Sequence, residues 1–256
     1  MIDITTRLMP ANTKRRSGAK NKGIRFIVAH DTGNPNSTAM QNVSYYISSA
    51  DHMSASAHAF VDDIAIVECI PETEKAWHVL YSVPADNASY GGDANDYALG
   101  IELCYFPKDI PRTRKAYANY TDYIAHLCSR HGIDPLKSLP GHFQLDPSRK
   151  TDPMNAFNLM GISYQSFLND VKGKISKDIA PCRLGDMGKN IESIQDILRK
   201  NSCEVSIMSE GVYDIAMAQS VLYFQIMKGV EKKSDVAFLR GEKIGPSTLK
   251  ALISNK

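Results

Sequence analysis

The stretch Ile24-Arg25-Phe26-Ile27-Val28-Ala29-His30-Asp31-Thr32 decides how the rest of this chain is read. It is an apolar run bounded by Gly23 and by Gly33-Asn34-Pro35, the pattern of a short buried strand that empties into a loop. His30 falls at its end, where a rigid backbone can hold a ligand or a base in place. Moving outward, residues 37–49 read as a helix. Ser37 or Thr38 is placed to cap it, and Met40, Val43, Tyr46 and Ile47 recur at helical spacing. Residues 57–61 and 64–69 read as a strand pair turning at Asp62-Asp63, and residues 99–105 as a further strand. Residues 112–131 carry Tyr117, Tyr120, Ile124, Leu127 and Cys128 on one face, and Gly132 ends that helix. A helix over 163–175 closes the unit. Residues 23–157 therefore read as one α/β unit.

The composition permits such a unit and narrows what it does. At 256 residues the chain can bury one large core or two smaller ones. A formal net charge of +2 gives no preference for polyanions, so no nucleic-acid partner is expected. The early basic clusters Lys14-Arg15-Arg16 and Lys20-Asn21-Lys22 are expected to be a solvated, mobile arm. No run of about 18 apolar residues occurs, so no membrane span is expected. The first residues lack the apolar core of a signal peptide, which suggests synthesis in a cytoplasm without a leader. Five widely spaced cysteines with no CxxC pair fit reduced, buried thiols better than a cysteine–metal cluster.

Two further segments complete a constellation with His30. His142 lies in Pro140-Gly141-His142-Phe143 and Asp152 in Arg149-Lys150-Thr151-Asp152-Pro153, near enough for one loop to deliver both. Two imidazoles and a carboxylate suit Zn2+, and three protein ligands leave a position open for water, which distinguishes a catalytic zinc from a structural one. Singly these residues prove little, since a lone histidine is more often structural and an aspartate before proline more often a turn residue. Trp77-His78 sets an aromatic face beside a hydrogen-bonding ring, which suits a glycan or a peptide stem. Both are expected at the cleft as substrate contacts, His78 also as an oxyanion donor, although Trp77 would serve equally as a core plug. His58 is open between the two roles. His52, His126 and His131 are assigned to structure or surface. Asp146 and Arg149 are expected to brace the loop that carries His142, and residues 90–95 to form a turn.

In this order and spacing, Ile27-Val28-Ala29-His30-Asp31-Thr32, Ser56-Ala57-His58-Ala59-Phe60-Val61, Ala76-Trp77-His78, Gly100-Ile101-Glu102-Leu103, Pro140-Gly141-His142 and Lys150-Thr151-Asp152-Pro153 resemble the zinc-dependent N-acetylmuramoyl-L-alanine amidases of the type-2 amidase and peptidoglycan-recognition superfamily. The resemblance covers residues 23–157 and implies a mixed central sheet flanked by helices. It implies that His30, His142 and Asp152 hold zinc, aspartate being a known variant where many relatives have cysteine. It further implies that Glu102 takes the proton from water and that Lys150 stabilises the oxyanion. Relatives with a tyrosine before the histidine of the second strand have Ala57 here as its counterpart, so more of the catalysis falls on Glu102.

Residues 182–256 differ in character. Ile191, Ile194, Ile197 and Leu198 form one helical stripe, Met217, Val221, Leu222 and Phe224 another, and residues 247–253 give a third short helix that Pro246 starts. The expected organisation is a catalytic domain over 1–176, a linker near 176–181 and a small three-helix domain over 182–256. With Gln195, Gly211, Phe224-Gln225 and Gly245-Pro246-Ser247-Thr248, this segment looks like a type-1 peptidoglycan-binding domain. It departs from that pattern at Glu210-Gly211 and in an apparent insertion over 231–241.

The resemblance implies a two-domain hydrolase of bacterial peptidoglycan that cuts the lactyl–L-alanine amide. The missing signal peptide beside a wall-binding module points to the phage or prophage endolysin type, acting on the wall after release. A monomer is expected, though the sequence does not give the oligomeric state. Three rival readings stand beside it: a recognition protein that binds without cutting, a cytoplasmic amidase that recycles wall fragments, and a zinc peptidase acting within the stem peptide.

Overall fold

Strand β2, which carries His30, lies at one edge of a five-stranded sheet. The computed structural model describes residues 4–81, 84–178, 182–230 and 240–254. The strands are β1 (Ile4–Thr6), β2 (Phe26–Asp31), β3 (Ala59–Val61), β4 (Ile66–Glu68) and β5 (Ala98–Leu103), in the spatial order β1-β4-β3-β5-β2. Only β3 and β4 pair antiparallel, so the sheet is mixed, as expected. All six residues of β2 are buried, which explains its unbroken apolar run: a strand covered on both faces has no solvent side to alternate with. The strand runs through His30 to Asp31, one element with both residues rather than a strand followed by a loop. Parallel register sets His30 beside Glu102 and Phe60 beside Glu102, so the three side chains share a face near the carboxyl ends of β2 and β5.

Helix α1 (Ala39–Ser48) starts at Thr38, whose side chain forms a capping box with Gln41, and packs Val43 in one cluster with Phe60 and Val67. Two short helices, α2 (Pro84–Tyr90) and α3 (Ala94–Tyr97), lead into β5 where only a turn was expected. Helix α4 (Ile110–His131) begins ahead of the expected Arg112, because the Asp109 carboxylate accepts the Arg112 N–H and Pro111 sits in the first turn. Gly132 ends it at φ 64°, a conformation that costs a side-chain-bearing residue about 1–2 kcal/mol. Beyond α4 come α5 (Pro135–Ser138), α6 (His142–Leu145), α7 (Met154–Met160) and α8 (Tyr164–Asp178). Phe157, Tyr164 and Phe167 from α7 and α8 form an aromatic cluster with Tyr117 and Tyr120 of α4.

The basic arm is not loose: Lys14, Lys20 and Lys22 are exposed, but its two arginines are held. Arg15 is 1% exposed, donates to the carbonyls of Ser49 and Ala55, and lies 4.2 Å from the Tyr46 ring centroid. Arg16 grips Glu74 through two nitrogens at 2.8 Å. Strand β1 was not anticipated: its three residues are exposed and hold to β4 through the backbone.

The chain divides into two compact units, Met1–Lys172 and Gly173–Lys256, with the boundary inside α8 rather than after it. Of the expected linker, residues 179–181 lie outside the described residues, as do residues 231–239 of the expected insertion. The second unit contains α9 (Lys189–Lys200), α10 (Ile215–Lys228) and α11 (Pro246–Ser254) around a core that includes Ile191, Ile194, Leu198, Tyr213, Met217, Val221, Phe224 and Leu252. The residues that made this segment look like a wall-binding module hold it together. Buried Gln195 donates to the carbonyls of Ser209 (2.8 Å) and Val212 (3.1 Å) and accepts the Gly211 N–H. Gln225 donates to the Thr248 hydroxyl at 3.0 Å in the interior. Among the described residues no helix is long and apolar enough to cross a membrane.

Candidate metal and catalytic centre

His30 is fixed first through its backbone. Its N–H donates to the buried Tyr120 hydroxyl of α4 at 3.1 Å, and that hydroxyl in turn lies 3.1 Å from the His30 carbonyl and 3.0 Å from that of Ile101. The segment bearing His142 is docked beside β2: Ala29 N–H donates to the Pro140 carbonyl at 2.9 Å, and Ala29 and Gly141 form a parallel bridge. Gly141 is required there, since a Cβ would lie 2.7 Å from the Phe143 ring and 2.9 Å from Pro153. Phe143 N–H then donates to the Asp152 carbonyl at 3.0 Å, so one loop does deliver both His142 and Asp152. Asp146 and Arg149 form an ion pair within that loop, and the Asp146 carbonyl accepts the N–H groups of Arg149 and Lys150.

The structure brings His30, His142 and Asp152 together. Asp152 Oδ2 lies 2.9 Å from His30 Nδ1 and 3.1 Å from His142 Nδ1, and the three donor atoms fall within 4.8 Å of one another. Both histidines are buried, at 2% and 3% exposure. Asp31, next to His30, contributes a contact that sequence reasoning missed. Its carboxylate accepts from Asn155 Nδ2 at 2.9 Å and from Ala156 N–H at 2.8 Å, in the first turn of α7. Consecutive residues of β2 therefore hold Asp152 and the helix that follows it.

Burial holds the His30 imidazole down at about 4, despite the Asp152 hydrogen bond that works the other way. Burial alone would raise Asp152, but the hydrogen bonds from His142 and His30 outweigh it and hold that carboxyl well below the usual range. At neutral pH His30 is therefore neutral and Asp152 ionised, the states that ligate metal. Glu102 goes the other way. Burial pushes its carboxyl well above the ordinary range, the Asp152 and Asp31 charges add to that, and the Lys150 charge opposes it. Its Oε2 is buried with no hydrogen-bond partner among the described residues. Burial likewise raises Asp31, to about 6, against the donors at Asn155 and Ala156.

The tryptophan–histidine pair separates. Trp77 is half-buried, with the Lys75 ammonium 5.0 Å from its ring centroid and Tyr81 at its edge. His78 is 8% exposed and packs against His30, with its Nδ1 3.1 Å from His30 Nε2. The small side of Gly100 makes that position possible. His58 resolves as structural, with Gly100 N–H donating to its Nδ1 and its Nε2 3.0 Å from the Glu74 carbonyl.

The centre is thus an α/β domain's strand-end cluster of two imidazoles and one carboxylate, next to a proton-hungry glutamate. Residues 20–155, more than half of the chain, match the N-acetylmuramoyl-L-alanine amidase family, and the chain belongs to it. The N-acetylmuramoyl-L-alanine amidase BlyA of Bacillus subtilis strain 168 is 30% identical over 184 residues, covering 69% of this chain and 48% of BlyA. This chain thus spans about half of that relative's length. The N-acetylmuramoyl-L-alanine amidase CwlL of Bacillus licheniformis is 24% identical over 98% of this chain and 72% of its own. The solved PlyG catalytic domain superposes with a TM-score of 0.53 at 25% identity, covering 68% of this chain and 96% of that domain.

Proposed function

We propose that this chain hydrolyses the amide between the lactyl group of N-acetylmuramic acid and the L-alanine of the peptide stem in bacterial peptidoglycan, as a zinc enzyme of the endolysin type. The carrying observation is the convergence of His30 Nδ1, His142 Nδ1 and Asp152 Oδ2 in a buried site with Glu102 on the adjoining strand. This donor set fits Zn2+: two nitrogens and one carboxylate oxygen, neutral and anionic respectively, with no fourth protein ligand in the cluster among the described residues. Zinc bound there supplies a Lewis acid that polarises a carbonyl and acidifies water.

The chain's own residues do the rest. The Glu102 carboxylate, strengthened as a base by burial, takes a proton from the attacking water and returns it to the departing alanine nitrogen. Water's oxygen thus ends on the lactyl carbonyl carbon and the amide C–N bond breaks. Lys150, whose charge already acts on Glu102 and His30, balances the developing oxyanion, a contribution worth about 3 kcal/mol for a well-placed donor. Trp77 offers a half-exposed aromatic edge for the substrate. The second unit would retain the enzyme on the polymer and raise local substrate concentration, through its surface rather than through its interior glutamines.

Mass spectrometry of purified peptidoglycan after digestion, with and without chelator, tests this reading. Stem peptides with a free N-terminal L-alanine, lost on chelation and restored by Zn2+, are the expected products. Uncut wall with protein bound to it would instead make the chain a recognition protein, and cleavage inside the stem would make it a peptidase.

A further inference from the structure

We propose that His78 is a positioning residue for the metal centre: its Nδ1 accepts the Nε2–H of His30 and so fixes which nitrogen of His30 faces Asp152 and His142. The inference rests on the metal reading above. A neutral imidazole carries one N–H, and a nitrogen that binds metal must be bare. His30 turns Nδ1 toward Asp152 at 2.9 Å, which leaves the hydrogen on Nε2 when Nδ1 is a ligand. Nε2 points at His78 Nδ1 at 3.1 Å, and the rings meet edge-on at 85°, the arrangement that aligns an N–H with a ring lone pair. Metal-bound histidines regularly need such an outer acceptor to set tautomer and ring angle.

The protein builds the acceptor's place from both sides. A Cβ on Gly100 would lie 2.3 Å from His78 Cγ, so β5 forgoes a side chain where the ring lies. Fully buried Asn95 grips the backbone, with its Oδ1 accepting the N–H groups of His78 (2.9 Å) and Val79 (3.1 Å) and its Nδ2 donating to the Val79 carbonyl. Behind His78 stands His58, 5.9 Å away between ring centroids and held through both of its ring nitrogens. A ring held on these sides is well placed to hold its neighbour still.

Two readouts on the 256-residue chain test this. The first is zinc affinity by competition with a chelator of known strength. H78A is expected to bind zinc about 10–100-fold more weakly with KM for muropeptides unchanged, and H78N, whose Oδ1 falls near the lost Nδ1, to recover most of the affinity. Unchanged zinc affinity in H78A with a raised KM would overturn the proposal and make His78 a substrate contact. The second readout, needing no variant, is 15N NMR of the imidazoles in the zinc-loaded wild type. Bare Nδ1 and protonated Nε2 on His30, with an unprotonated Nδ1 on His78, are expected; a protonated His78 Nδ1 overturns the proposal. A wild-type chain that binds no zinc would remove the metal reading and this inference together. Zinc binding indifferent to residue 78 would remove the inference alone.

Discussion

Glu102 and Asp31 sit near the same candidate metal-ligand set and are shifted the same way by burial, yet their surroundings differ. Glu102 has a buried oxygen without a partner among the described residues, so its proton affinity is free for chemistry. The E102Q variant is expected to keep its zinc while kcat falls by about 10²–10⁴-fold, read by steady-state hydrolysis beside metal analysis. Equal loss of zinc and of turnover would recast Glu102 as structural. Asp31 spends both oxygens on α7. Removing it in D31A leaves the Ala156 N–H buried and unpaired, which should cost about 2 kcal/mol of stability in denaturant titration and weaken zinc binding by releasing Asp152. The difference in legibility between these residues has a physical cause. His30, His142 and Asp152 each stand in a short local frame of strand end, Gly/Pro loop or pre-proline aspartate. Asp31 and Tyr120 act across separations of 124 and 90 residues, which no local pattern encodes. Adjacency in sequence likewise could not say that His78 is buried against His30 while Trp77 stays half-exposed.

Among the elements, the sequence disclosed those long enough to show a period. The apolar face and the glycine stop of α4 were plain, and its start was misplaced only because Asp109 and Pro111 extend it backward. Strand β1 and the four-residue helices α3, α5 and α6 carry no period at all. They exist because tertiary contacts complete their hydrogen bonds. Helix α6 matters most, since it presents His142 from its first position against the chain at Pro153. The G141A variant tests that coupling. Its Cβ has nowhere to go but against Phe143 and Pro153, so the loop must shift by a fraction of an ångström. Zinc affinity is expected to fall at least tenfold, the lower end of what mispositioned ligands cost. Far-ultraviolet circular dichroism is expected to stay unchanged, and retained zinc affinity would show that the loop relaxes without moving its ligands.

For the whole molecule, the division into two units has a thermodynamic consequence. The core of the second unit draws its buried residues from Cys182 to Leu252, and the clusters around the sheet draw theirs from Met9 to Leu145. Each unit should therefore have its own unfolding transition, and each can be moved by a perturbation confined to it. In the first, burial holds His58 down at about 4. Between about pH 6.5 and 4 the unfolded chain binds a proton at this residue that the folded chain refuses, so stability falls as pH drops. For this group the loss is up to about 3 kcal/mol, complete below the folded value. H58N is expected to flatten that slope. In the second unit, Gly241 has φ 69°, and a Cβ there would lie 1.9 Å from the Ala218 carbonyl oxygen of α10. Backbone cannot give way as a side chain can, so G241A should cost about 3 kcal/mol or more. Scanning calorimetry across pH is then expected to show acid lowering the first transition, less steeply in H58N because His30 still contributes, with G241A lowering only the second. A single transition that responds to both changes together would mean that the two cores unfold as one body.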